Sequence, residues 1–88
     1  MNETRAIMGI SLCYCVQETN LIEENKKLDI LLTTLNALGY PDEAMTEYAE
    51  IFSTINVEDL LLEEGATKEN LEACFNNFEA EYLKSIGK

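Results

Sequence analysis

An all-α fold, a compact bundle of about five short helices with short loops, is the architecture this sequence predicts. Three observations predict it. Apolar residues recur at helical spacing in successive segments: Leu31, Leu35 and Leu38, then Tyr48, Ile51, Phe52 and Ile55, then Leu71, Phe75, Phe78 and Tyr82. Helix punctuation falls between those segments, with Gly39, Pro41, Asn56, Gly65, Thr67 and Gly87 where stops and caps are needed. Only one run, Ala6 to Val16, alternates well enough to be read as a strand, and the rest of the chain offers it no partner.

Residues 3–17 form the first element. Asn2 has the chemistry of an N-cap, and Glu3 suits the positive end of a helix. The run from Ala6 to Val16 is apolar nearly all round, as in a buried helix. Read as a strand it would place Ile10, Leu12, Tyr14 and Val16 on one side and would have to pair with another molecule. Helix is the reading preferred here.

Asn20 and Glu23 have the spacing of a capping box, which predicts a second helix carrying Leu21, Leu28, Ile30, Leu31, Leu35 and Leu38. The alternative is that helices one and two run on, kinked near Thr19 and Asn20. Gly39 and Pro41 supply the stop. Pro41 then presets the first turn of a third helix, with Asp42 and Glu43 complementing its dipole. Met45, Tyr48, Ile51, Phe52 and Ile55 occupy one face of it. Asn56 caps a short fourth helix, Val57 to Glu64, closed by Gly65. Thr67 starts the fifth, in which Leu71, Cys74, Phe75, Phe78, Tyr82 and Ile86 share a stripe, and Gly87 ends it. No repeat or linker interrupts this pattern, so residues 1–88 are expected to be a single helical domain.

Composition narrows the function. With 17 acids against 6 bases the net charge is −11, the wrong sign for direct binding to nucleic acid or to an anionic membrane. The apolar run at 6–16 is far short of the ~20 residues a membrane span needs, and Gly9 and Ser11 interrupt it. Three cysteines, Cys13, Cys15 and Cys74, make an odd set, which points to a reducing compartment and a cytoplasmic protein. There is no histidine, so the commonest general base and metal ligand is missing. Cysteines two apart on a helix point to different sides, and all three lie in apolar runs, so they are expected in the core with no metal or cofactor on them. No catalytic constellation emerges, and the expectation is a protein that is not an enzyme. The segment Glu63 to Leu71 has the outline of a helix-turn-helix, but a recognition helix bearing Glu69, Glu72 and Glu79 would repel phosphates.

One family likeness accompanies this reading. Tyr48-Ala49-Glu50-Ile51-Phe52, then Ile55, then Val57-Glu58-Asp59-Leu60-Leu61, then Thr67-Lys68-Glu69-Asn70-Leu71 resembles the middle of a SAM domain, over roughly residues 35–75. A whole apolar helix precedes the matching part. The resemblance implies an adaptor or homo-oligomerisation module working through helix surfaces, its acidic surface serving solubility alone.

The feature that asks most for an explanation is the acidic face itself. From Asp29 to Thr67 there is no lysine or arginine among 39 residues that include nine carboxylates. Glu43, Glu47 and Glu50 are spaced i, i+4, i+7, and Asp59 with Glu63 is another i, i+4 pair. Like charges at that spacing oppose helix formation by roughly 0.2–0.5 kcal/mol per pair. Their carboxylates stand on the order of 6 Å apart, close to the spacing of neighbouring phosphates along a strand. The expected partner is therefore a protein with a basic surface, met by Glu43, Glu47, Glu50, Glu58, Asp59, Glu63 and Glu64. The sharpest form of the expectation is a phage-type inhibitor, an anti-CRISPR-like DNA mimic in the host cytoplasm, occupying the nucleic-acid groove of a host enzyme or immune complex. A homodimer through residues 6–16 is the other association the sequence allows.

Overall fold

The first helix, α1 (Glu3–Glu18), is the post on which the others lean. The computed structural model describes residues 3–87 and, of Glu3, the backbone alone; the N-cap expected at Asn2 lies outside them. After α1 come a single 3-10 turn (Glu24–Lys26), α2 (Lys27–Ala37), α3 (Asp42–Thr54), α4 (Val57–Glu63) and α5 (Lys68–Ser85), and the described residues contain no strand. α1 packs against all four other helices, and α2 and α3 also pack against each other. A helix that is apolar nearly all round is most stable at the centre, and α1 is largely covered there, with Ile7 and Met8 of its first half left exposed. The radius of gyration is 12.4 Å, against roughly 12 Å expected for a compact chain of this length.

The core draws on every helix. Cys13 and Val16 of α1 meet Leu31 and Leu35 of α2, Tyr48 of α3, Val57 and Leu61 of α4, and Leu71 of α5. The side chains of Leu31, Leu35 and Leu61 are fully buried, each contributing about 2 kcal/mol by leaving water. Gly9 is buried too. It lets α3 approach α1, because a Cβ there would land on the Tyr48 ring.

Side chains tie the helix ends together. The Tyr40 hydroxyl donates to the carbonyl of Arg5 (2.7 Å), while Arg5 Nη2 donates to the carbonyl of Leu38 (2.9 Å) and its guanidinium lies 4.1 Å above the Tyr40 ring. At the other end, Gln17 Nε2 donates to the carbonyl of Phe52 (2.8 Å), which belongs to the last turn of α3 and has no helical partner of its own. Lys27 Nζ performs the same service for the Gln17 carbonyl (2.7 Å).

Among the described residues the caps fall where the sequence puts them, with two corrections: Pro41 is the extended N-cap of α3 and lies outside its first turn, and the start of α2 moves. Asn56 Oδ1 accepts from the N–H of Asp59, and Thr67 with Asn70 closes a capping box at the start of α5. Gly39, Gly65 and Gly87 all take the positive φ that ends a helix cheaply only at glycine. The capping box expected at Asn20 and Glu23 does not form: the second helix begins at Lys27, and helices one and two are separated, not kinked. Thr19 explains the break. Its hydroxyl oxygen accepts the N–H of Leu21 (3.1 Å), turning the chain so that Ile22 enters the interior. The stripes are narrower than their periodicity implies, since Leu21, Leu28, Leu38, Ile55 and Ile86 are exposed. α5 is the least embedded helix, with Leu71 its sole buried residue.

Candidate functional site

The acidic side chains take their positions from the burial of the opposite helix faces. In α3 the buried residues are Ala44 and Tyr48, flanked by half-buried Met45, Ile51 and Phe52. Glu43, Glu47 and Glu50 project from the other side and are exposed, a single ridge along one helix. In α4, burial of Val57 and Leu61 leaves Asp59 and Glu63 exposed, and Glu64 follows as the exposed C-cap. Glu58 differs. It is half-buried and, with Glu18, lies near enough to Tyr14 of α1 to help raise the phenol pKa, after the larger effect of burial.

Among the described residues three ion pairs form, Lys26 with Glu23, Lys27 with Glu24 and Lys84 with Glu81, each between residues three apart. None includes any of the seven acids. Some of those acids have a local reason to be where they are: Glu43, Glu58 and Asp59 sit in the first turns of α3 and α4, where the helix dipole favours an anion. Glu47, Glu50, Glu63 and Glu64 have none. The first two repel their neighbours along α3, and the last two stand at the negative end of α4.

Two features escaped the sequence. The first is a groove of about 490 Å³ beside α1, lined by Ile7, Met8, Leu12, Leu38, Cys74 and Phe78, continued by a hollow of about 410 Å³ between Ile7, Leu61, Glu64 and Leu71. Exposed apolar residues on two different helices signal such a groove only once the helices are placed. The second is the pairing of cysteines. Cys13 is buried against the Tyr48 side of α1, and burial pushes its thiol up to about 12. Cys15 faces α5, where its Sγ lies 3.6 Å from Cys74 Sγ. Burial raises the Cys15 thiol, and the neighbouring Cys74 raises it further. Cys74, expected in the core, is exposed, because α5 rests on α1 by one edge and leaves this position on the seam. Beside the pair, Thr19 Oγ1 donates to Glu79 Oε2 (2.7 Å), and Tyr14 meets Phe75 edge to face.

Among the described residues no three metal-ligating side chains come together, and no helix is long and apolar enough to cross a membrane. Compared with protein families, with curated proteins and with solved structures, the chain matches none of them.

Proposed function

We propose that this protein works by binding another protein that presents a basic surface, with the α3 ridge of Glu43, Glu47 and Glu50 and the α4 acids Asp59, Glu63 and Glu64 as its side of the contact. The observation that supports this is the position of Glu47, Glu50, Glu63 and Glu64. All four are exposed, none has a cationic partner among the described residues, and each stands where a carboxylate weakens its own helix. A cationic cleft would turn that repulsion into attraction and would steer the encounter. In its sharper form the reading is a small inhibitor, of the kind phages encode, filling a groove that otherwise holds DNA or RNA. Glu58 takes a lesser part because it is turned toward α1.

The experiment is a pull-down from host lysate at low and at high salt, followed by competition with DNA or RNA on the captured protein. Capture should weaken steeply with salt, and reversal of Glu43, Glu47 and Glu50 to lysine should abolish competition. Salt-insensitive capture rejects the ridge.

A second reading has an observation of its own. Ile7, Met8 and Leu38 are exposed beside one groove, which favours a helical adaptor, similar in use to a SAM domain, or a homodimer through residues 6–16. Light scattering at high concentration tests the dimer: a monomer throughout removes it, and a dimer lost in Met8→Glu supports it.

A further inference from the structure

We propose that Cys15 and Cys74 are an oxidative modification site, converted by hydroperoxides into an intramolecular disulfide that clamps α5 onto α1. The inference is independent of the acidic ridge.

The two thiols are 59 positions apart in sequence, yet their sulfurs approach to 3.6 Å across the seam between the two helices. A disulfide bond is about 2.05 Å long, so the sulfurs must close by about 1.5 Å. The surroundings allow it. Leu71 is the one buried residue of α5, which otherwise meets α1 and the residue after it through part-buried contacts such as Tyr14 with Phe75 and Thr19 with Glu79. Both cysteines border the apolar groove, which leaves the seam room to settle. The groove also gives a small oxidant its way in. Cys74 is exposed to water and lines both hollows, whereas Cys15 is covered. A solvent-accessible cysteine poised next to a second one that can resolve it is a common arrangement among redox-sensing cysteines. Cys13 is excluded by position, since it is fully buried and turned toward Tyr48.

The chemistry balances with a hydroperoxide as oxidant. The Cys74 thiolate attacks one peroxide oxygen, the O–O bond breaks, and the leaving hydroxide or alkoxide takes a proton, giving water or an alcohol and a Cys74 sulfenic acid. The Cys15 sulfur then attacks the Cys74 sulfur, the S–S bond forms and the S–OH bond breaks. Hydroxide departs as water with the proton released from Cys15. Two electrons pass from the thiol pair to the peroxide, and a thiol reductant reverses the change.

The test is to treat the reduced full chain with hydrogen peroxide and follow intact mass, free thiols and thermal unfolding. The expected product is a monomer lighter by two hydrogens with one titratable thiol left, its cross-linked peptide joining the α1 cysteines to Cys74. Cys74→Ser should not lose mass, and Cys13→Ala should still lose it. Tm should rise by about 5 °C or more and fall back with reductant. Cys74 carrying oxygen without a cross-link, dimers joined through Cys74, a bond between Cys13 and Cys15, or a cross-linked monomer with unchanged Tm would each overturn the proposal. Peptide mapping on the unsubstituted protein, with cleavage after Tyr14 to separate Cys13 from Cys15, identifies the partner of Cys74 without relying on how the variants fold, and a bond from Cys13 to Cys74 would also overturn the proposal.

Discussion

The Tyr48 ring of α3 occupies the space in which a side chain on Gly9 of α1 would begin. Two opposing effects therefore meet in Gly9→Ala. Alanine gains about 1 kcal/mol of helix propensity over glycine. Overpacking a filled interior costs about 1–3 kcal/mol, and here the obstacle is an aromatic ring 4% exposed with nowhere to go. The clash wins, and Gly9→Ala should lower stability by up to about 2 kcal/mol in urea unfolding. Gly9→Ala with Tyr48→Ala should recover part of what the two lose separately. An alanine at position 9 that stabilises the protein would mean the helices are not in this contact.

Lys27 is 2% exposed, and its ammonium has two partners, the Gln17 carbonyl at 2.7 Å and Glu24 at 3.0 Å. These differ in weight. The Glu24 side chain is 89% exposed, so the ion pair is screened, whereas the Gln17 carbonyl lies in the last turn of α1, where no later helical N–H reaches it. Lys27→Ala, which loses both the bond and the buried stem, should cost about 2–3 kcal/mol. Lys27→Met keeps the stem and should cost about half of that. Glu24→Gln should change unfolding by less than about 0.5 kcal/mol. If Glu24→Gln proves as damaging as Lys27→Ala, the ion pair is the important bond.

The same residue shows what a sequence can and cannot disclose. Nothing local to Lys27 signals burial, and the turn made by Thr19 brings it under the C-terminus of α1. Local signals such as Asn56, Thr67 and the three stop glycines act within a few residues, and they were legible. That residues 3–17 form a largely buried helix was legible in part, since Cys13, Cys15 and Val16 are buried while Ile7 and Met8 are exposed. The acids of α3 project outward as their spacing implies, since Tyr48 and Ala44 fix the opposite face. Glu58 has no acidic partner at helical spacing on α4 and is half-buried beside Tyr14. Cys15 and Cys74 carry no common signal at all: a separation of 59 residues is resolved only by how two helices cross.

Cys13 sets an alkaline limit. Burial pushes its folded-state thiol from 9.0 up to about 12. The neutral thiol is thus favoured in the folded protein, and its contribution is intact below about pH 9. As pH rises past that value the unfolded chain releases its proton first. Stability should then fall by up to about 1.4 kcal/mol per pH unit for this group, until the folded thiol also ionises near about pH 12. Cys15 is shifted in the same direction and adds to the slope. Urea midpoints under reducing conditions should be flat from about pH 7 to about pH 8.5 and drop by about pH 10.5. Cys13→Ala should show a shallower drop; a profile identical to that of the parent would refute the assignment.

Glu47 separates what the fold wants from what binding wants. It is exposed on α3, four residues after Glu43 and three before Glu50, and takes part in none of the ion pairs among the described residues. In Glu47→Lys two repulsive pairs become attractive ones, each change worth roughly 0.4–1 kcal/mol, so the variant should be more stable by about 1 kcal/mol. Added salt should raise the Tm of the parent, whose net charge of −11 repels itself, and raise that of the variant less. If the ridge is the contact, this stabilised variant should bind its basic partner at least tenfold more weakly, a combination that a solubilising surface would not produce. A variant more stable and still binding at full strength would leave the ridge without a role, and one less stable would show that Glu47 has a structural partner in solution.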